Sequence, residues 1–423
     1  MPFHSTTRSM LKSKQLLKQC VKECSSFSPA NFKLKRALIV TKLSRYEIEQ
    51  LRHPELTREQ LEQKLRDRGT DVENVLYLHN LHKDFERRIV RSFRNVGCEV
   101  KMSSSRLEFR SSLSKDVMSW ADVIVPVGGD GTFLLSANRA SPLFALSQQK
   151  TPIVGFNSDP QHSEGRLLLP KYYSENPEEA VNRIKSGDFK WVHRSRIRTT
   201  MLGNNGTIPE STDLFRHTAV KMEQVDTSPE LLDKHMGHKY NAKMKRILPY
   251  LALNEVFIGE QLSARVSHLQ LVLNHQDVVN KTKCSGLCVS TGTGSTSWHT
   301  SINRITSSDV DDLLQSLPDS CAPHVLKLRA NVEEIAQRYN QGLLFPADDP
   351  RLCYSIREQI CVGVWPSPKT FKARDFVQTV FIKSHCIDAN LVIDGSISYP
   401  FNDGAKVLLE IYPEDALLTI ALD

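Results

Sequence analysis

An apolar run, a glycine-rich turn and a helical segment follow one another without a break in residues 121–140, ADVIVPVGGDGTFLLSANRA. The β-branched run Val123–Val127 predicts a buried strand, and FLLSANRA predicts a helix. The glycines permit unusual φ angles and close approach to a ligand, and the helix start offers free amides and a positive dipole. A chain built around this unit is expected to form an α/β sheet with an anion site at the turn.

Strands and helices alternate around this unit and predict a first domain over residues 34–191. The strand-like runs are RALIVTK, CEVKM, ADVIVPV and TPIVGFN. Residues 72–96, with apolar residues at helical spacing, separate the first two runs, and FLLSANRA separates the last two. Strands joined by helices form a parallel sheet covered on its faces. We therefore expect a Rossmann-like α/β domain.

The pattern becomes β-rich over residues 192–423, which predicts a second domain. A polar stretch near 205–247, expected to be an exposed excursion, and a helical stretch near 308–342 interrupt it as inserts. The extreme C-terminus is a candidate to return to the first domain. No internal repeat is visible.

Residues 1–33 form a basic leader. The first 22 residues contain no acid, and on a helix Lys14, Lys18 and Lys22 share one face. An acid-free, serine-containing amphipathic start is typical of a mitochondrial transit segment, although a disordered basic tail has the same composition.

Bulk composition excludes several classes of protein. No run approaches the ~18–20 apolar residues of a transmembrane helix, so no membrane partner is expected. The net charge of +7 is spread over 423 residues, so no nucleic-acid partner is expected. Nine scattered cysteines without a paired CxxC framework predict reduced thiols and no metal site.

Asp130 is unusual because it lies in the middle of a turn that otherwise suits a phosphate. No Lys-Ser/Thr pair follows as in a Walker loop, and the dinucleotide pattern G-x-G-x-x-G is absent from this turn. An ionised carboxylate in contact with a phosphate costs a few kcal/mol at an effective dielectric constant of ~20. Asp130 is therefore expected to face a metal or a hydroxyl about to attack the phosphate, the alternative being a structural Asx turn.

Asn254 and Glu255 interrupt an apolar strand, LALNEVFIGE. A buried carboxylate needs a partner, and a ribose diol is one that can donate both hydroxyl protons. Adjacent strand residues point to opposite faces, so both can meet one ligand only where the strand ends or bulges. An internal hydrogen-bond network is the alternative.

The segment VSTGTGSTSW, residues 289–298, is dense in glycine and hydroxyls. Hydroxyls such as those of Thr293 and Ser295 can line a nucleotide, or the segment can be a simple loop.

In this order the three clusters resemble the NAD kinase family: a GGDGT loop at 128–132, an Asn-Glu pair at 254–255 and a Gly-rich Ser/Thr segment at 290–298. The resemblance extends over residues 34–423, and the chain is similar to the mitochondrial branch of the family. It implies an active site between an α/β and a β-rich domain, ATP with Mg²⁺ but no tightly bound prosthetic group, a homo-oligomer such as a dimer, and the mitochondrial matrix.

The resemblance also implies roles for individual residues. Asp130 would take the proton from the 2′-hydroxyl of the adenosine ribose of NAD as that oxygen attacks the γ-phosphate of ATP. Phosphate contacts are implied for Gly128, Gly129, Gly131 and Thr132, and nucleotide contacts for Asn157, Asn254, Glu255, Arg265, Thr293, Ser295, Thr296, Ser297, Trp298 and Ser301.

Three positions depart from the family pattern. Gly292 stands where the family has proline, Trp298 where it has tyrosine, and Ser285 where it has aspartate. These departures leave the preference between NAD and NADH open. The sequence also leaves open whether ATP or polyphosphate is the donor. Two alternatives follow: a lipid kinase that shares the GGDGT loop, for diacylglycerol or sphingoid bases, and a non-catalytic NAD-binding regulator.

Overall fold

The computed structural model describes residues 29–103, 119–144, 150–204, 210–214, 218–220, 228–318, 328–361 and 371–423. The chain forms two compact units. The first contains residues up to His193 together with Leu417–Asp423, and the second is Arg194–Ala416. Apart from residues 29–33, the predicted basic leader lies outside the described residues.

A parallel sheet forms the centre of the first unit, with strand order β2-β1-β3-β4. Its strands are β1 (Arg36–Thr41), β2 (Glu99–Ser103), β3 (Val123–Gly128) and β4 (Phe156–Asn157). The predicted parallel α/β architecture is confirmed, because β1 and β3 are apolar runs that the structure buries on both faces.

Helices surround this sheet: α1 (Arg45–Arg52), α2 (Arg58–Asp67), α3 (Val72–Asn95), α4 (Asp130–Phe144), α5 (Tyr172–Glu175) and α6 (Pro177–Ser186). The predicted apolar stripe of α3 is buried at Val75, Phe85, Ile89 and Phe93. Gly97, with φ of 77°, follows the end of that helix in the left-handed conformation that favours glycine.

The run TPIVGFN differs from its prediction as a full strand, because only its last two residues form β4. The amide of Ile153 donates to the carbonyl of Leu418, while the amide of Val154 donates to the carbonyl of Ile124. The run thus alternates between two partners, β3 on one side and the end of the chain on the other. That end forms β21 (Leu417–Ala421), which pairs with β5 (Lys190–Arg194).

The second unit contains two antiparallel sheets, so the predicted β-rich character is confirmed. The seven-stranded sheet, in spatial order, consists of β13 (Asn280–Cys284), β12 (Ser267–Leu273), β17 (Thr379–Ser384), β20 (Lys406–Ile411), β6 (Ile197–Gly203), β10 (Met244–Ile247) and β9 (Glu230–Leu231). The eight-stranded sheet consists of β16 (Arg374–Val377), β15 (Leu352–Arg357), β14 (Gly286–Ser290), β11 (Glu255–Glu260), β18 (Ala389–Ile393), β19 (Ile397–Pro400), β7 (Ser211–Asp213) and β8 (Thr218–Val220). Apolar side chains from both sheets form one buried core.

The polar stretch 205–247 is more than an exposed excursion. Its strands β7 and β8 extend one sheet, and β9 and β10 extend the other. Within α7 (Lys234–Tyr240), the buried ring of Tyr240 stacks on Phe381 with centroids 4.2 Å apart. These strands are only two to four residues long, so no periodic apolar pattern marks them in the sequence.

Helices occupy the stretch near 308–342, and one precedes it. They are α8 (Trp298–Asn303), α9 (Ser307–Gln315) and α10 (Val332–Gln341). Thr306 and Asp309 form a capping box at the start of α9. No helix in the described ranges has the length and apolar character needed to cross a bilayer.

Candidate active site

The glycine-rich turn lies at the carboxyl end of β3, and Asp130 is the first residue of α4. A Cβ atom at Gly128 would overlap the hydroxyl of the buried Thr132, so this turn closes only around glycine. A Cβ atom at Gly131 would meet nothing within 4 Å. The turn is therefore tightly packed at Gly128 and has free space at Gly131. The amides of Thr132 and Phe133 donate to the carbonyl of Gly129 at 2.9 and 3.3 Å, which closes the first turn of α4.

The carboxylate of Asp130 is held by a loop that lies far along the chain. Its Oδ2 accepts the amide of Arg166 at 3.1 Å, and its Oδ1 accepts the amide of Leu167 at 2.9 Å. An Asx turn would instead use the backbone two residues on. The loop contacts fix the orientation of the carboxylate, and each oxygen retains a lone pair for a further proton or hydroxyl.

Asn157, at the end of β4, shapes this loop. Its Nδ2 donates to the carbonyl of Ser163 at 3.0 Å, and its Oδ1 accepts the amide of Asp159 at 3.0 Å. Gly165 has φ of 63° and packs directly on the Asn157 amide group. Asn157 thus acts on Asp130 through the loop whose two amides bind the carboxylate.

In the second unit, Asn254 and Glu255 lie where β11 begins. The amides of Leu253, Asn254 and Glu255 donate to the carboxylate of Asp394 at 2.8, 2.8 and 3.1 Å. Asp394 has φ of 45° and lies in the turn between β18 and β19. Asn254 therefore precedes the strand, which is the condition under which neighbouring side chains can reach one ligand.

Two acceptor atoms of this pair are buried and unsatisfied. Asn254 Oδ1 and Glu255 Oε2 make no hydrogen bond with any described residue. Burial, reinforced by the nearby charge of Asp394, raises the pKa of Glu255 to about 8, against a hydrogen bond from Ser297 that lowers it. Burial also raises the pKa of Asp394, and its three amide contacts oppose that rise. Donors such as ribose hydroxyls would satisfy both oxygens.

The Gly-rich segment packs against the backbone of Asn254. The carbonyl of Asn254 accepts the amide of Thr291 at 2.9 Å, and a Cβ atom at Gly294 would overlap the same oxygen. The hydroxyl of Ser295 donates to the carbonyl of Gly292 at 2.7 Å, and that of Thr296 donates to Thr293 at 3.3 Å. The hydroxyls of Ser295 and Thr296 therefore stabilise the backbone of the turn Thr293–Thr296 by hydrogen bonds.

Gly292, the position where the family has proline, meets the chain that returns from α10. A Cβ atom at Gly292 would overlap the carbonyl oxygen of Pro346. The amide of Phe345 donates to the hydroxyl of Ser295 at 3.3 Å, and the ring of Phe345 meets His299 edge-on. Residues 343–347, which we name the return segment, therefore pack directly against the turn Thr293–Thr296.

The other predicted residues are less enclosed. Trp298 is 44% exposed, with its ring 5.1 Å from that of Phe257, and Ser301 is exposed on α8. Thr293 accepts a 3.5 Å contact from Arg194. Arg265 is exposed in the loop after Glu260, at the opposite end of β11 from Glu255. The structure thus groups Asn254, Glu255 and residues 293–298, but it does not bring Arg265 to them.

Sequence reasoning missed several contributors. No local sequence signal shows that the carboxylate of Asp394 binds the amides of residues 253–255. No sequence signal predicts that the amides of Arg166 and Leu167 bind Asp130, or that the return segment packs against Gly292. The described residues contain no group of three His, Cys, Asp or Glu side chains able to hold a metal ion.

Comparisons with known proteins found curated relatives and solved structures that are similar to this chain. The chain is 36% identical over 402 residues to "NAD kinase 2, mitochondrial" of Homo sapiens, which covers 95% of this chain and 87% of the relative. It is 36% identical to the Rattus norvegicus protein of the same name, covering 94% of this chain and 90% of the relative. A crystal structure of yeast NADH kinase complexed with NADH superposes with a TM-score of 0.49 and 11% identity, over 92% of this chain and 84% of that one. No family model matches the chain.

Proposed function

This chain belongs to the NAD kinase family, and from that premise we propose how its own residues carry out the reaction. It is an ATP-dependent NAD kinase of the mitochondrial type. The observation that carries the residue assignment is the carboxylate of Asp130, which lies at an open glycine turn and is oriented by two backbone amides.

Asp130 acts as the general base. It takes the proton of the 2′-hydroxyl of the adenosine ribose while that oxygen forms a bond to the γ-phosphorus of ATP. The bond from the γ-phosphorus to the bridging oxygen breaks, and ADP leaves with the electron pair. A positioned base contributes roughly 10²–10⁴ to the rate of such a step.

The turn itself binds the phosphates of ATP, which enters with Mg²⁺ as part of the substrate. Gly128, Gly129, Gly131 and Thr132 supply a short, open connection into the start of α4, and the open space above Gly131 supports this role. Asn157 contributes by holding the loop that orients Asp130, because both ends of its amide are engaged there.

Asn254 and Glu255 bind the ribose hydroxyls of NAD. Their buried, unsatisfied oxygens support this assignment, because each needs a donor that the described residues do not supply. Thr293, Ser295, Thr296, Ser297, Trp298 and Ser301 complete the proposed dinucleotide surface.

Three broader properties are also proposals, the first supported by the acid-free basic composition of the leader and the other two by the family. They are a transit segment in residues 1–33, action in the matrix, and assembly as a homodimer. Light scattering on the purified protein and N-terminal sequencing of the mature chain test them.

The primary experiment compares protein without the basic leader to its Asp130→Asn variant, with NAD⁺, ATP and Mg²⁺. We expect NADP⁺ from the first and a loss of at least about 100-fold in kcat from the second, with an unchanged melting temperature. Asp122→Asn is the matched control, because Asp122 lies before the other end of β3, where it pairs with Arg36 at 2.9 Å.

Most of the activity remaining in Asp130→Asn would remove Asp130 from the role of base. NAD⁺ binding without NADP⁺ in the wild type would indicate a regulator, and no binding at all would direct the assay to diacylglycerol and sphingoid bases.

A further inference from the structure

Lys42 follows β1 directly, at the edge of the sheet where the glycine turn lies. Carboxyl ends of parallel strands meet at one edge, and β1 is the neighbour of β3. The amide of Lys42 donates to the carbonyl of Val127 at 3.1 Å. Its Cβ atom lies 3.3 Å from the place that a Cβ atom at Gly128 would occupy. The lysine side chain therefore begins in contact with the turn that carries Asp130.

Lys42 has no salt-bridge partner among the residues that the structure describes. The side chain is half-buried, and burial lowers the pKa of Lys42 while the carboxylate of Asp159 opposes that change. Its ammonium forms no ion pair within 4 Å with any residue that the structure describes. Asp159 instead binds the ring of His162 at 2.8 Å. His82 faces the same cation with its pKa lowered to about 4, by burial first and by Lys42 second, so it stays neutral at physiological pH.

A second unsatisfied group lies at the same edge. The amide of Ser158 donates to the carbonyl of Gly128 at 3.1 Å. The side chain of Ser158 is only 5% exposed, and its hydroxyl makes no hydrogen bond with a described residue. A partly desolvated cation and a buried hydroxyl beside an open glycine turn together suit an anionic oxygen.

We propose that Lys42 is a further binding residue of this site, whose ammonium contacts phosphate oxygens of ATP beside the GGDGT turn. The proposal rests on the proposed function, and it answers a question that function leaves open. The turn lacks the lysine of a Walker loop, so a cation for the triphosphate has to come from elsewhere. A neighbouring parallel strand supplies it here.

Calorimetric binding of Mg-ATP and of NAD⁺ to Lys42→Met tests this role. We expect the Kd for Mg-ATP to rise about tenfold or more, the Kd for NAD⁺ to change less than about twofold, and Lys42→Arg to recover most of the affinity. Lys35→Met is the control, because it removes the same charge from the exposed residue before the other end of β1.

Binding is measured apart from turnover, so the two proposals can fail separately. Equal Mg-ATP affinity in wild type and Lys42→Met overturns the role of Lys42, even where the wild type forms NADP⁺. An equal rise in the Kd for NAD⁺, or a matching loss in Lys35→Met, also overturns it. A wild type that binds no Mg-ATP and forms no NADP⁺ overturns both.

Discussion

Glu255 combines a proposed binding role with an energetic cost. Its carboxyl group is buried at the start of β11 beside a second buried carboxyl, Asp394, and one of its oxygens has no partner among the described residues. The pKa of about 8 means that the folded protein retains a proton on Glu255 at pH values where the unfolded chain has lost it. Folded stability contributed by this group therefore falls as the pH rises from about 4.5 towards 8.

Glu255→Gln removes this titration. We expect the variant to gain stability relative to the wild type by about 2 kcal/mol more at pH 8 than at pH 6, because each pH unit within the window changes the difference by about 1.4 kcal/mol. Urea unfolding at both pH values measures it, and NAD⁺ affinity should fall at the same time.

Glu99→Gln, on the exposed edge strand β2, provides the matched control. A stability difference for Glu255→Gln that is the same at pH 6 and pH 8 would contradict the raised pKa.

Residue types were more predictable than their partners. The sequence indicated that Glu255 needs a partner and that Asp130 is an unusual choice for a phosphate turn. It did not reveal that Asp394 binds the amides of residues 253–255, or that the amides of Arg166 and Leu167 hold Asp130, because both contacts join segments distant in the chain. Periodicity reports only local neighbours.

At the scale of elements, the return segment explains why glycine stands at 292. The carbonyl of Pro346 occupies the space that any side chain at Gly292 would need. The proline common in the family cannot fit while the return segment keeps this position. The stretch between α8 and β15 is therefore structurally tied to the turn that carries Thr293–Thr296.

Gly292→Ala is expected to displace either the return segment or the turn. Overpacking of this kind costs about 1–3 kcal/mol, and a shifted turn should raise the KM for NAD⁺ more than it changes kcat. Thermal unfolding and steady-state kinetics measure the two effects.

Gly203→Ala is the control, since a Cβ atom there meets nothing within 4 Å. If Gly292→Ala matched Gly203→Ala in both measurements, the tie between the return segment and the turn would be disproved.

Elements were predictable where each has one regular set of partners. The strands β1 and β3 and the helix α3 coincide closely with their sequence patterns. The prediction of a full strand for TPIVGFN was wrong because the amides of Ile153 and Val154 donate to different neighbours. The strands of 205–247 were not predicted because they are short and polar.

At the scale of the whole molecule, the first unit takes its last strand from the end of the chain. Ile420 and Leu422 belong to the same buried core as Ile39, Phe93 and Val125. The hydroxyl of Tyr173 and the guanidinium of Arg183 bind the carbonyl of Asp423. The first unit is therefore incomplete until the second unit has been synthesised.

Ile420→Ala should weaken the first unit although it lies near the end of the sequence. Ile420 is 6% exposed, so the loss should be about 2–4 kcal/mol, whereas Ile387→Ala, at a side chain 79% exposed, should cost less than about 0.5 kcal/mol. Hydrogen exchange locates the effect: the amides of β1 and β3 should lose protection in Ile420→Ala, while those of β12 and β17 keep theirs. Faster exchange confined to the second unit would show that β21 does not stabilise the parallel sheet. Thr419 of β21 pairs with Ile153, which in turn pairs with Ile124 of β3, the strand that leads into Asp130. A weakened β21 should therefore also lower turnover as temperature rises, before global unfolding begins.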